Sequence, residues 1–171
     1  AYKVVLRPRS DHVVDAGVQQ ESYALRTQVS GTSASRFDGD TRLRSVYGQD
    51  AWAFAPDWSG VLGLRVEHWN AWGGLTQSAS GTLAHPARAA TYASPKAAVG
   101  FQASDEWSLK ASLGRAVRVP TVSELYQGGL NNLGQQVNTN PDLRPERSWT
   151  AELSAQWSGD ALQWRVTSFF E

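Results

Sequence analysis

From Tyr126 to Asn138 the candidate ligand-binding side chains are one phenol, Tyr126, and six amides, Gln127, Asn131, Asn132, Gln135, Gln136 and Asn138. Amides donate and accept hydrogen bonds without fixed charge, which suits an oxygen-rich polar ligand and suits water equally well. Charged and turn-forming residues stand on both sides, Arg118, Pro120, Thr121 and Glu124 before the amides and Asn140, Pro141, Arg144, Pro145 and Glu146 after them. Thr121-Val-Ser-Glu124 after a proline fits a capping box, so one helical turn is predicted there, ending at Gly128-Gly129. Pro141 and Pro145 impose extended or turn geometry on the residues before them. Arg118, Glu124 and Arg144 are expected to form an ion-pair network at the loop roots. Exposed pairs contribute only about 0 to 1 kcal/mol each, so the network positions the loop rather than stabilising the fold.

A second group of candidates is Arg65, Glu67 and Trp69. Arginine can pair the carboxylates of a chelate and an indole can stack on a flat ligand, although Arg65 and Glu67 could equally pair with each other or with a neighbouring strand. His68 and His85 are lone histidines, and a metal site needs several converging ligands. The chain has no cysteine. It also lacks a nucleophile elbow, a zinc-binding histidine pair and a phosphate-cradling glycine motif, so neither an enzyme nor a resident cofactor or metal is expected.

The elements that must hold these residues alternate with period two. The odd positions of 107–117 read Trp107, Leu109, Ala111, Leu113, Arg115, Val117 against Ser108, Lys110, Ser112, Gly114, Ala116. The stretch 147–157 repeats the pattern with Trp149, Ala151, Leu153, Ala155 and Trp157 on one face. Strands are predicted over about 1–6, 12–24, 45–55, 58–70, 92–103, 107–117, 147–157 and 161–171. For 45–55 the pattern leaves the facing open, because Trp52 and Phe54 share a parity with Asp50. Tight turns at 55–58, 104–107 and 158–160 alternate with long polar segments over about 25–44, 71–91 and 118–145. An antiparallel meander with its short links at one end and its long loops at the other follows.

Charge is balanced, 16 Lys and Arg against 16 Asp and Glu, so no global field favours nucleic acid. No run of about 18 apolar residues occurs, which excludes a transmembrane helix. A transmembrane β-barrel stays open at a mean hydropathy of −0.41, since its strands show lipid only every second side chain. Trp58, Trp107, Trp149, Trp157 and Trp164 then fall near strand ends as an interfacial girdle. In a soluble sandwich the same residues would fill the core.

The segments "RVPTVSELY" at 118–126 and "NPDLRPERS" at 140–148, in this order and flanked by strands, resemble the signatures of TonB-dependent outer-membrane receptors. "YGQDAWAFAPDWSGVLGLRVE" at 47–67 and "SPKAAVGFQASDEWSLKASLG" at 94–114 extend the resemblance over most of 47–157. It implies an all-β fold: an antiparallel meander of about eight strands within a roughly 22-stranded transmembrane barrel of the bacterial outer membrane. By the same resemblance, residues 1–171 are a partial barrel domain without its plug. Its partners would be the plug and remaining strands of the parent chain, the TonB complex reached through an N-terminal region outside this sequence, outer-membrane lipid, and a small-molecule metal chelate. Import of a scarce nutrient by TonB-coupled transport is the implied function. A ferric siderophore is ranked above haem because 121–139 holds no histidine where haem importers of the family tend to carry one; the residues do not separate it from cobalamin.

Two other readings compete. A complete eight-stranded outer-membrane barrel with a structural or adhesive role would need an intact closing strand, and a soluble carbohydrate-binding β-sandwich would bury its tryptophan-bearing faces against each other. The lack of Met at position 1 and a start and finish inside strand-like runs lead to the expectation of an excised piece.

Overall fold

The computed structural model describes residues 1–31, 34–133 and 135–171, with Gln136 described by its backbone alone. Its strands are β1 (Tyr2–Leu6), β2 (His12–Val29), β3 (Ser35–Ala55), β4 (Trp58–Ser78), β5 (Gly81–Ala84), β6 (Arg88–Gln102), β7 (Trp107–Arg118), β8 (Gly129–Leu130), β9 (Gln136–Val137), β10 (Glu146–Ser158) and β11 (Gln163–Phe170). One short helix, α1, spans Val122–Tyr126. Eight strands pair in the order β1-β2-β3-β4-β6-β7-β10-β11, with β5 added to the far end of β4 and β8-β9 forming a separate small sheet. Every pairing is antiparallel, as expected when each strand is followed by its neighbour through a reversing link.

The period-two pattern becomes two faces that run unbroken across the sheet. One carries Val4, Ala16 and Gly48 in line with Leu64 and Pro95, and then Ala97, Leu113, Ala151 and Phe170. Register settles the facing of β3: Val46, Gly48, Asp50, Trp52 and Phe54 lie on this apolar face, and Ser45, Tyr47 and Gln49 on the other. Asp50 is the acid in the band, and His12 Nδ1 bonds its Oδ2 at 2.8 Å. The opposite face is a polar lattice. Lys3 pairs with Asp15 at 2.9 Å, Gln49 Nε2 donates to Asp15, and Arg65 donates to Glu67 at 2.8 Å, Gln19 at 3.0 Å and Ser45 at 2.6 Å.

Among the described residues no second sheet covers the apolar face, and Leu62, Leu64, Leu113, Leu153 and Val166 stay exposed there. This excludes the sandwich. An apolar surface of such extent is stable only against an apolar medium. The closed eight-stranded barrel is excluded as well, because among the described residues β1 pairs only with β2 and β11 only with β10.

The segments 25–44 and 71–91 differ from expectation. They are not long loops but strand: β2 runs on to Val29, β3 begins at Ser35, β4 continues to Ser78, and β5 and β6 take up 81–84 and 88–102. A membrane-spanning strand needs only about 9–11 residues, so β3 and β4, at 21 residues each, extend well beyond the bilayer. There both faces meet water, and the alternation that reveals a strand disappears. Among the described residues, the long link of little regular structure is the one between β7 and β10.

Aromatic residues collect on the apolar face at the tight-turn end. Trp58 stacks on Phe101 at 4.4 Å, Phe54 adjoins Trp58 and Trp52, and Trp107 meets Trp164 edge-on at 5.1 Å. Trp157 faces Trp107 and Trp164 in register, and its indole donates to Glu106 at 2.8 Å. Trp149 lies nearer the other end of β10, about 26 Å away along the strand, or about 20 Å in height for a strand tilted about 40°.

Candidate functional site

The packed core of the molecule lies under the loop after β7. Trp69, Ala71 and Tyr92 of the wall meet Val122, Leu125 and Tyr126 of α1. The capping box forms: Thr121 Oγ1 accepts from the Glu124 amide at 3.2 Å, and the Thr121 amide donates to Glu124 Oε2 at 2.8 Å. α1 ends at Gln127, one residue before the expected glycines, and its φ of −85° is an ordinary one.

Tyr126 explains why this helix docks here. Its ring lies flat on Gly39 of β3 and Gly74 of β4, where an added Cβ would come within 2.1 and 2.4 Å of ring carbons. The slot exists because a β-bulge shifts the β3–β4 register between Asp38 and Asp40, with Gly73 at φ 63° supplying the extra residue. His85 stacks on the ring, with centroids 5.5 Å apart and planes 24° from parallel, while its Nε2 meets Thr76 Oγ1 at 3.0 Å. Burial pushes the Tyr126 hydroxyl pKa up and the His85 pKa down, the latter opposed in part by Asp142.

Several expected binding residues are therefore used inside the protein. Tyr126 is 1 % and Trp69 2 % exposed, so neither presents a ring face to solvent; packing against glycine and under Arg88, 5.6 Å from the indole, has consumed them. Arg65 and Glu67 pair within the wall. Asn131 Oδ1 accepts from the amides of Leu133 and Gln135, and its Nδ2 donates to Gln135 Oε1, so these amides shape the loop tip. Gln127, Asn132 and Asn138 are exposed, Asn138 in the left-handed region at φ 64°. The side chain of Gln136 lies outside the described residues.

The loop roots also differ in one partner. Arg118 pairs with Glu124 at 2.5 Å and with Glu146 at 3.4 Å, and Arg144 takes part in no ion pair among the described residues. The two arginines would repel each other, whereas Glu146 stands opposite Arg118 in the β7–β10 register. The bonds from the Thr121 amide and Arg118 hold the Glu124 carboxyl down at about 2. Pro120 is buried. Asn140 Oδ1 accepts from the Asp142 amide, and the Asn140 amide and the Thr139 hydroxyl both donate to the Glu124 carbonyl. The Pro141 carbonyl accepts from Arg88. Pro145 is half-buried beside Glu146, where β10 begins.

What remains open is a recess of about 370 Å³ between the upper polar face and the start of α1, lined by Glu21, Tyr23, Thr41, Leu43, Trp69 and Pro120. The Trp69 indole N–H is buried and has no acceptor. Tyr23 donates to Glu21 at 3.2 Å. The recess offers a carboxylate and a phenol ring, with the Trp69 indole in its buried floor. Sequence reading missed Glu21, Tyr23 and Thr41, which lay in or beside a stretch read as strand end and loop.

A two-faced wall with tryptophans at its rim and a loop folded over its polar side is the architecture of an outer-membrane β-barrel. The chain belongs to the TonB-dependent receptor family: the family model "TonB dependent receptor-like, beta-barrel" matches residues 9–171. Among curated proteins it is 24 % identical over 167 residues to an iron-regulated outer membrane virulence protein of Vibrio cholerae serotype O1. That match covers 96 % of this chain and 23 % of the relative, so the chain spans about a quarter of the relative's length. Among solved structures it is similar to the copper transporter OprC (TM-score 0.72, 20 % identity, 94 % of this chain and 28 % of that one). It is also similar to the ferric yersiniabactin uptake receptor FyuA of Yersinia pestis (TM-score 0.68, 12 % identity, 98 % and 27 %). A third is the Serratia marcescens hemophore receptor HasR, solved with its hemophore and heme (TM-score 0.64, 14 % identity, 92 % and 33 %). At these identities the solved structures establish the fold, and the wall is one of the bacterial outer membrane.

Proposed function

We propose that this chain is a stretch of wall in a receptor that imports a scarce nutrient by TonB-coupled active transport, with a ferric siderophore as cargo. The observation that carries the reading is the recess over Trp69. It lies on the polar face, at the end away from the tight turns, beneath a loop keyed into the wall by Tyr126. A ligand held there would stand at the mouth of a wet lumen. The wall supplies hydrogen bonding and ring contact rather than covalent chemistry. The name of the Vibrio relative, iron-regulated, and that of FyuA, a ferric yersiniabactin receptor, favour the same cargo. The plug and the remaining strands of the parent chain would complete the path, and TonB would supply the energy.

The test is uptake of radiolabelled ferric siderophores, haem and copper by cells with and without the full-length receptor, in backgrounds with and without TonB. Receptor-dependent and TonB-dependent uptake of a ferric siderophore alone is expected. Uptake confined to haem or copper, or none that depends on the receptor, would overturn the assignment.

A further inference from the structure

The apolar face changes character along β2, β3 and β4. Val18, Val46 and Val66 lie side by side on the three strands; two residues farther from the tight turns the same face carries Gln20, Arg44 and His68, and then Ser22, Arg42 and Asn70. Two grooves meet at Arg44. One, of about 510 Å³, runs over Tyr2, Val18, Val46 and Val66 to Arg44 and His68. The other, of about 440 Å³, lies between Arg42, Arg44, Asn70 and Trp72.

The two guanidinium groups are oriented but not neutralised. Arg44 Nε donates to Gln20 Oε1 at 3.0 Å, and Arg42 Nε donates to Ser22 Oγ at 3.3 Å while its guanidinium lies 5.2 Å from the Trp72 ring centre. Among the described residues neither enters an ion pair, and the acids farther up β3 are occupied, Asp40 by Arg26 and Asp38 by Arg36. Both recorded bonds use Nε, which leaves the terminal nitrogens for a further acceptor. A guanidinium pair of this kind matches the geometry of a phosphate. A soluble anion would have no use for the valine groove directly beneath it.

We propose that this face docks a phosphorylated lipid of the outer leaflet, its acyl chain along Val18, Val46 and Val66 and its phosphate on Arg44 and Arg42. The proposal rests on the wall's place in the outer membrane and is independent of the cargo.

Full-length receptor in detergent is titrated with dioleoyl phosphatidic acid, with dioleoylglycerol and with inorganic phosphate, and binding is read by native mass spectrometry. Phosphatidic acid is expected to bind at least about tenfold more tightly than either fragment, and R42Q/R44Q to lose about that factor, whereas R42K/R44K retains most of it. Heat-modifiable gel migration checks that each variant is an assembled barrel. If the double variant does not assemble, R42Q and R44Q singly carry the same test, each expected to lose part of the affinity. Equal binding by dioleoylglycerol, or unchanged binding in the glutamine variants, overturns the proposal. Occupancy by inorganic phosphate at the same concentrations reduces the site to a general anion site and overturns the lipid assignment. Ferric siderophore uptake by R42Q/R44Q is expected at the wild-type rate, so failure here and failure of the cargo assignment are separable.

Discussion

Tyr126 concentrates the logic of the site in one ring. It is buried because Gly39 and Gly74 offer no Cβ at the two places where the ring comes closest. Gly39→Ala or Gly74→Ala is expected to push the ring out and release α1, seen as faster proteolysis between 119 and 145 with the barrel still assembled. Tyr126→Ala is expected to remove about 3–5 kcal/mol of docking energy, as for other large aromatic deletions. Wild-type proteolysis rates in these variants would show that the ring does not hold the loop. Glu124 sets a second expectation. Its carboxyl is held at about 2, below the ordinary 4.5, by the Thr121 amide and Arg118. A depressed acid contributes stability that is fully present above about pH 4.5 and is lost as pH falls towards 2. Loop protection against hydrogen exchange should decline across that window, and Glu124→Gln should remove the decline. An unchanged acid response in Glu124→Gln would place the titrating group elsewhere.

At the scale of elements, legibility in the sequence followed the solvent. Strands at 107–117 and 147–157 were plain because one side of each meets an apolar medium and the other a wet one, so Trp, Leu and Ala alternate with Ser, Lys and Glu. Above the bilayer that contrast vanishes. Residues such as Arg36, Asp38 and Asp40 are strand although nothing apolar marks them, and their order comes from pairing with β2 and β4. The capping box at Thr121 was readable from four residues because it is a local device. The slot for Tyr126 was not, since it joins β3, β4 and α1 across long stretches of chain and depends on a bulge. The same distance hid Arg88 as a partner of the loop. Amides over 35–43 and 69–76 are accordingly expected to exchange far more slowly than those over 131–133. Equally fast exchange in the two groups would mean that the extensions are not paired in solution.

For the whole molecule the decisive feature is one sheet with two unlike faces. Leu64 lies in the middle of the apolar band, opposite Gly48 and Pro95. Leu64→Arg in the full receptor is expected to cost about 2–4 kcal/mol, the penalty for a cation on the lipid face near mid-bilayer. Ser112→Arg on the polar face is expected to be far milder. Equilibrium unfolding in lipid vesicles measures both, and equal costs would overturn the assignment of faces.

The loop that starts at β7 and returns at β10 is tied to β7 by the Arg118–Glu124 pair, but its helix seats farther along the sheet. The helix packs against Tyr92 of β6 and seats on β3 and β4, reaching β2 as well. In a curved barrel wall this makes it a tie drawn across an arch. Spreading β4 away from β7 must first lift Tyr126 off its two glycines, so the arch is stiff while the tie holds and yields once it slips.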